Sequence, residues 1–140
     1  MYLVTTNPTS IPLKKTIAIL EPHHIFRQCL EEILSHLEYD VILKSGETLD
    51  FIEQLAVSEE QPAIIISEVQ LGDMRDVSMF RHLSYHYPEI KLLAFSADNS
   101  EWAVDTAMQE GAHAFLQKGC SLQEIQIILD EITSREIEIK

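Results

Sequence analysis

Glu68 has the strongest claim to chemistry in this chain. It lies within Pro62 to Gly72, where Ala63-Ile64-Ile65-Ile66 is followed by Ser67, this carboxylate and a glycine turn. Four apolar residues in a row, three of them β-branched, predict a strand buried on both faces inside a parallel sheet. Ligands of open α/β sheets bind outside the carboxyl ends of the strands, so Glu68 is expected on the functional rim. The other reactive types give weaker signals. His82 and His86 have the i, i+4 spacing of a zinc helix but lack its glutamate, and they face away from the apolar stripe. Cys29 falls on an apolar helix face and reads as core. Cys120 opens a helix, where the dipole is expected to lower a thiol pKa. There is neither a nucleophile-plus-base pattern nor a glycine-rich phosphate loop.

The elements that position these residues alternate regularly. Met1 to Leu13 has two prolines and no periodicity and is expected to be an extended arm. Thr16–Leu20 is a first buried strand, broken by Glu21-Pro22. Phe26, Cys29, Leu30, Ile33, Leu34 and Leu37 then recur at helical spacing. A second strand is expected over Tyr39–Lys44, followed by a helix capped by Thr48 that carries Leu49, Phe51, Ile52 and Leu55. After the Glu68 strand, Val77, Phe80 and Leu83 mark a helix that must stop before Pro88.

Ile90–Phe95 is a fourth strand, and Ala103, Val104, Ala107 and Met108 form the inward face of a helix ended by Gly111 at C′. Ala112–Leu116 is a short fifth strand. Ser121 caps a last helix with Leu122, Ile125, Ile128, Leu129 and Ile132 inward. Five strand–helix alternations predict an α/β fold, a doubly wound five-stranded parallel sheet with helices on both faces. The expected layout is an arm over 1–13, one domain over 14–134 and a tail or linker stub over 135–140.

Composition narrows the function classes. Ten Lys+Arg against 23 Asp+Glu give a formal net charge of −13, which opposes binding to phosphate backbones and to anionic lipid. No nucleic acid and no membrane are therefore expected as partners of this domain, and no apolar run is long enough to cross a bilayer. Two distant cysteines with no secretory segment ahead of them point to a reduced cytoplasmic setting.

From Leu20-Glu21-Pro22-His23-His24-Ile25-Phe26-Arg27 with Leu30, through Glu68 and Ser96-Ala97 to Phe115-Leu116-Gln117-Lys118, the sequence resembles the receiver domain of bacterial two-component response regulators. It is most similar to those usually followed by a helix-turn-helix output domain, and the likeness covers about Lys14 to Ile132. The resemblance implies a flavodoxin-like receiver fold. In it Glu68 stands at the phosphoacceptor Asp, Glu21 and Pro22 at two adjacent acids, Ser96 at a Ser/Thr, Phe115 at the switch aromatic and Lys118 at the lysine that closes the site. It also implies a Mg²⁺ held by the acceptor carboxylate and the neighbouring acids. Three positions depart from the family pattern: Pro22 for an acid, Glu68 for Asp, and Gly72 where a proline is expected.

These departures bear on the chemistry. Phosphoryl transfer rests on positioning and charge neutralisation, and Mg²⁺ demands near-octahedral oxygens. Pro22 supplies no oxygen, and Glu68 carries its carboxylate one methylene further out, on the order of 1.5 Å, the scale at which misplacement costs roughly 100-fold. The expectation is a module that is not an enzyme, works by protein contact and needs no cofactor. Its pocket is held by an ion pair of Glu68 with Lys118, and its partner is a protein such as a histidine kinase or an output domain. Homodimerisation is also open.

A receiver still phosphorylated by a histidine kinase with Mg²⁺, and a small α/β enzyme or ligand-binding domain, are the alternatives. Whether Glu68 mimics the phosphorylated state turns on Ser96 bonding to Glu68 with Phe115 buried. Trp102, opposite the inward stripe of its helix, is the expected partner contact. His23 and His24 near Glu21 and Glu68 offer at most a weak metal set. The reading preferred for them has one histidine capping the first helix.

Overall fold

The computed structural model describes residues 15–69, 71 and 78–134. The expected arm and tail, Gly72 and Val77 lie outside these residues. Five parallel strands, β1 (Thr16–Leu20), β2 (Asp40–Ser45), β3 (Ile64–Glu68), β4 (Lys91–Ser96) and β5 (Ala114–Gln117), pair in the order β2-β1-β3-β4-β5. They alternate with helices α1 (His24–His36), α2 (Thr48–Val57), α3 (Met79–His86), α4 (Glu101–Gln109) and α5 (Leu122–Ser134). The doubly wound sheet expected from the sequence is therefore the one observed.

Side chains alternate across the sheet and seed two cores. Ile17, Ile19, Ile64, Ile66, Leu93 and Phe95 face α1 and α5 and pack on Leu30, Leu34, Ile125 and Leu129. Ala18, Leu20, Ile65, Leu92 and Ala94 face α2, α3 and α4, against Phe51, Leu55, Phe80, Leu83 and Ala107. The central strand β3 is buried along its whole length, as its unbroken apolar run requires. At the sheet's margin, Ile17 pairs with Val41 but Ala18 pairs with Leu43, so Ile42 is an extra residue in β2.

Two helices end in the same way. Ala112 N–H donates to Ala107 O and Gly111 N–H to Met108 O, with Gly111 at φ +123, the six-to-one and five-to-two bonds of a Schellman motif. At the end of α1, Tyr39 N–H donates to Leu34 O and Glu38 N–H to Ser35 O, with the non-glycine Glu38 at φ 69. The α4 motif consumes Ala112 and delays β5 to Ala114, two residues later than expected.

Several local expectations are corrected. Cys29 is exposed, Leu122 is 42% exposed and Met108 41% exposed, so the apolar stripes of α1, α5 and α4 are narrower than their sequences suggest. Leu49 on α2 is 72% exposed and points away from the core. Thr48 is the buried first residue of α2, and Glu47 is its N-cap. Ser121 does cap α5: its Oγ accepts from Glu124 N–H at 3.1 Å while Glu124 Oε1 accepts from Ser121 N–H at 2.9 Å. Among the described residues no helix is long and apolar enough to cross a membrane.

Candidate functional site

The carboxyl ends of β1, β3, β4 and β5 converge on one rim, where parallel pairing sets Glu68 beside Phe95 and Ser96 beside Gln117. Glu21 follows β1 directly, and its N–H donates to Ser45 O at 3.0 Å, which continues the ladder toward β2. Lys118 follows β5, and its N–H donates to Ser96 O at 2.9 Å. Gly119, at φ +90, then turns the chain away.

Three charged side chains meet on this rim. Lys118 Nζ lies 2.6 Å from Glu68 Oε1 and 2.9 Å from Glu21 Oε1, with side-chain exposures of 8% for the lysine, 10% for Glu68 and 1% for Glu21. The Glu21 contact is close but lacks hydrogen-bond alignment, so Oε1 is held by charge attraction while Oε2 accepts from His23 N–H at 2.9 Å. Burial alone would lower the Lys118 pKa. Its close contacts with Glu68 and then Glu21 outweigh burial and hold the ammonium above the ordinary lysine range. One cation thus serves two buried carboxylates.

Aromatic faces complete the cation's surroundings. Lys118 Nζ stands 4.7 Å from the Phe26 ring centroid and 5.4 Å from that of Phe95. His23 meets Phe26 edge-on at 5.0 Å between centroids. Arg27 Nη1 donates to Glu21 O at 2.7 Å, and a Cβ at Gly46 would come within 2.6 Å of that nitrogen, so the glycine leaves room for the guanidinium.

The remaining predicted residues fall as follows. Ser96 is buried and its Oγ accepts from Asp98 N–H at 3.1 Å, a bond within its own loop. Phe115 is half-buried and packs against the core beneath α2, α3 and α4. Pro22 is exposed. Trp102, in the first turn of α4, is 72% exposed. His23 occupies the N-cap position of α1 without a side-chain cap bond, so the backbone N–H to Glu21 replaces the imidazole cap expected there. His24 Nδ1 lies 3.3 Å from Arg27 Nη2.

The His82 and His86 rings are 4.5 Å apart, and among the described residues no group of three or more His, Cys, Asp or Glu is placed to hold a metal. The expectation for Cys120 is reversed: burial, then the Glu124 carboxylate, pushes its thiol pKa up. Sequence reasoning paired Glu68 with Lys118 but missed Glu21 as the second anion and Phe26 and Phe95 as the flanking rings. The available signal was that Glu21 directly follows a buried strand on the same rim.

The model of the response regulator receiver domain family matches residues 17–130, nearly the whole of the described fold. The chain belongs to that family. This receiver is 26% identical over 106 residues to the transcriptional regulatory protein DegU of Brevibacillus brevis, covering 75% of the chain and 44% of DegU. It therefore spans less than half the length of that relative.

Among solved structures, the signal receiver domain of an HD domain-containing protein from Pseudomonas fluorescens Pf-5 superposes with a TM-score of 0.78. Identity is 19%, with 93% of this chain and 94% of that one covered. The receiver domain of the response regulator NarL from Mycobacterium tuberculosis gives a TM-score of 0.74 at 21% identity, over 86% of this chain and 98% of that one. At these identities the structural likeness speaks for the fold.

Proposed function

We propose that this receiver domain signals by protein contact from a pocket that supplies its own cation, without a phosphorylation cycle. The observation that carries this reading is the Lys118 ammonium between the Glu21 and Glu68 carboxylates, at 2.9 Å and 2.6 Å. A receiver that accepts a phosphoryl group needs those carboxylates for Mg²⁺, an ion that wants near-octahedral oxygens. Here both already face an ammonium, and Pro22, where the family pattern has a second acid, carries no side-chain oxygen. The donor set fits a lysine and does not fit Mg²⁺.

With Glu68 engaged by Lys118, the carboxyl ends of β3 and β5 are tied together whatever the phosphodonor supply. The Ser96 bond to its own loop and the half-buried Phe115 support a fixed pocket more than a carboxylate copy of the phosphorylated state. The exposed Trp102 on α4 is the contact we assign to a protein partner, of the kind a kinase or an output domain would provide.

Incubation with acetyl phosphate and Mg²⁺ followed by intact-mass measurement tests the reading. The expected spectrum carries no phosphoryl adduct, and an adduct mapped to Glu68 overturns it.

A further inference from the structure

We infer that Phe26, on the first turn of α1, is a positioning residue for the Lys118 ammonium, and that its ring ties α1 to the charge cluster on the sheet's rim. This rests on reading Lys118 as the pocket's resident cation and adds the element that keeps it there. An ammonium has three N–H donors. Nζ lies 2.6 Å from Glu68 Oε1 and 2.9 Å from Glu21 Oε1, and the Glu21 oxygen is buried with no hydrogen-bond donor aligned on it. A cation free to choose would turn toward it.

The Phe26 ring, 4.7 Å from Nζ, attracts the same ammonium from the α1 side, and Phe95, at 5.4 Å and nearly fully buried, closes the other flank. Packing alone does not account for the place of Phe26: it is 36% exposed and belongs to neither core.

The ring is itself braced. His23 meets it edge-on at 5.0 Å, and the same residue's N–H holds Glu21 Oε2 at 2.9 Å. Arg27, next in the helix, holds Glu21 O at 2.7 Å. Among the described residues, the charged and titratable groups around the ammonium are Glu21, Glu68, His23 and Arg27, and all but Glu68 come from the β1–α1 segment. Any change in the seating of α1's first turn is therefore felt at Lys118, and the coupling is reciprocal.

A double-mutant cycle separates this role from simple packing. Phe26→Leu keeps an apolar side chain and removes the π face. In the wild-type background it is expected to lower the folded-to-unfolded ratio about three- to tenfold more than in a Lys118→Met background, with Phe26→Trp restoring most of the difference. The Lys118 side-chain amine, followed by NMR, is expected to titrate at lower pH in Phe26→Leu and not in Phe26→Trp. Equal costs of Phe26→Leu in both backgrounds, with an unmoved Lys118 titration, overturn the role of the ring. That outcome leaves the resident-cation reading standing, since a phosphoryl adduct on the wild type is what removes the latter.

Discussion

Replacing Lys118 by Met keeps the length and the apolar stem and deletes the ammonium that contacts both Glu21 and Glu68. At N···O separations of 2.6 and 2.9 Å each attraction is worth about 6 kcal/mol gross at an effective dielectric near 20. Most of that is offset in the wild type by desolvation of the three groups and by repulsion between the carboxylates. In the variant the offsetting costs remain and the attraction is gone, so the expected loss at neutral pH is about 3–5 kcal/mol. That is a large part of the roughly 5–15 kcal/mol that holds a domain together.

The loss is pH-dependent with a fixed sign. Without the ammonium two like charges stay buried on one rim, and their cost is present only while both are ionised. The destabilisation is then full at neutral pH and is relieved as acid neutralises the pair. Urea unfolding followed by circular dichroism checks this. The gap between Lys118→Met and wild type should be widest near pH 7 and should shrink toward about pH 4. Adding Glu68→Leu to the variant removes one of the two buried anions and should recover part of the loss at neutral pH. A loss under about 1 kcal/mol, of the size seen for exposed pairs, or a gap that stays constant with pH, would refute the reasoning.

Two further outcomes follow from the same structure. The Lys118 pKa is raised because attraction to Glu68 and Glu21 outweighs its burial, and that of Tyr39 is raised by burial and then by Asp130, so both favour their protonated forms in the folded state. Their stabilisation is intact below about pH 10 and lost above it, which thermal melts across that range should show, with a shallower decline in Lys118→Met. Ser121→Ala removes one half of the reciprocal cap of α5, and denaturant titration should register a loss of about 1 kcal/mol with the fold unchanged.

The parts of this molecule legible in its sequence are those fixed by period and run length. The Ala63–Ile66 run marked the central strand, and its end marked the rim. The Glu68–Lys118 pair was legible through the resemblance to receiver domains, which implies that Lys118 lies over the pocket that Glu68 enters. The cluster's other half was not, because Glu21 was weighed with Pro22 as a damaged pair of acids and not as a neighbour of Lys118 across the ends of β3 and β4. Cys29, Met108 and Leu122 were misplaced for a common reason: helical spacing identifies a face but does not say how much of that face the neighbouring elements cover. The C-terminal motif of α4, which shortens β5, depends on backbone bonds that no side-chain pattern announces.

The extra residue in β2 bears on how copies of this domain can meet. β2 is one margin of the sheet, and Ile42 breaks its register there, between the outward Asp40 and Lys44. A misregistered margin flanked by charge is a poor template for another chain's strand, so the sheet does not propagate from molecule to molecule along that side. Assembly across this margin is left to helix surfaces, whose side chains can diverge without disturbing the backbone ladder beneath them.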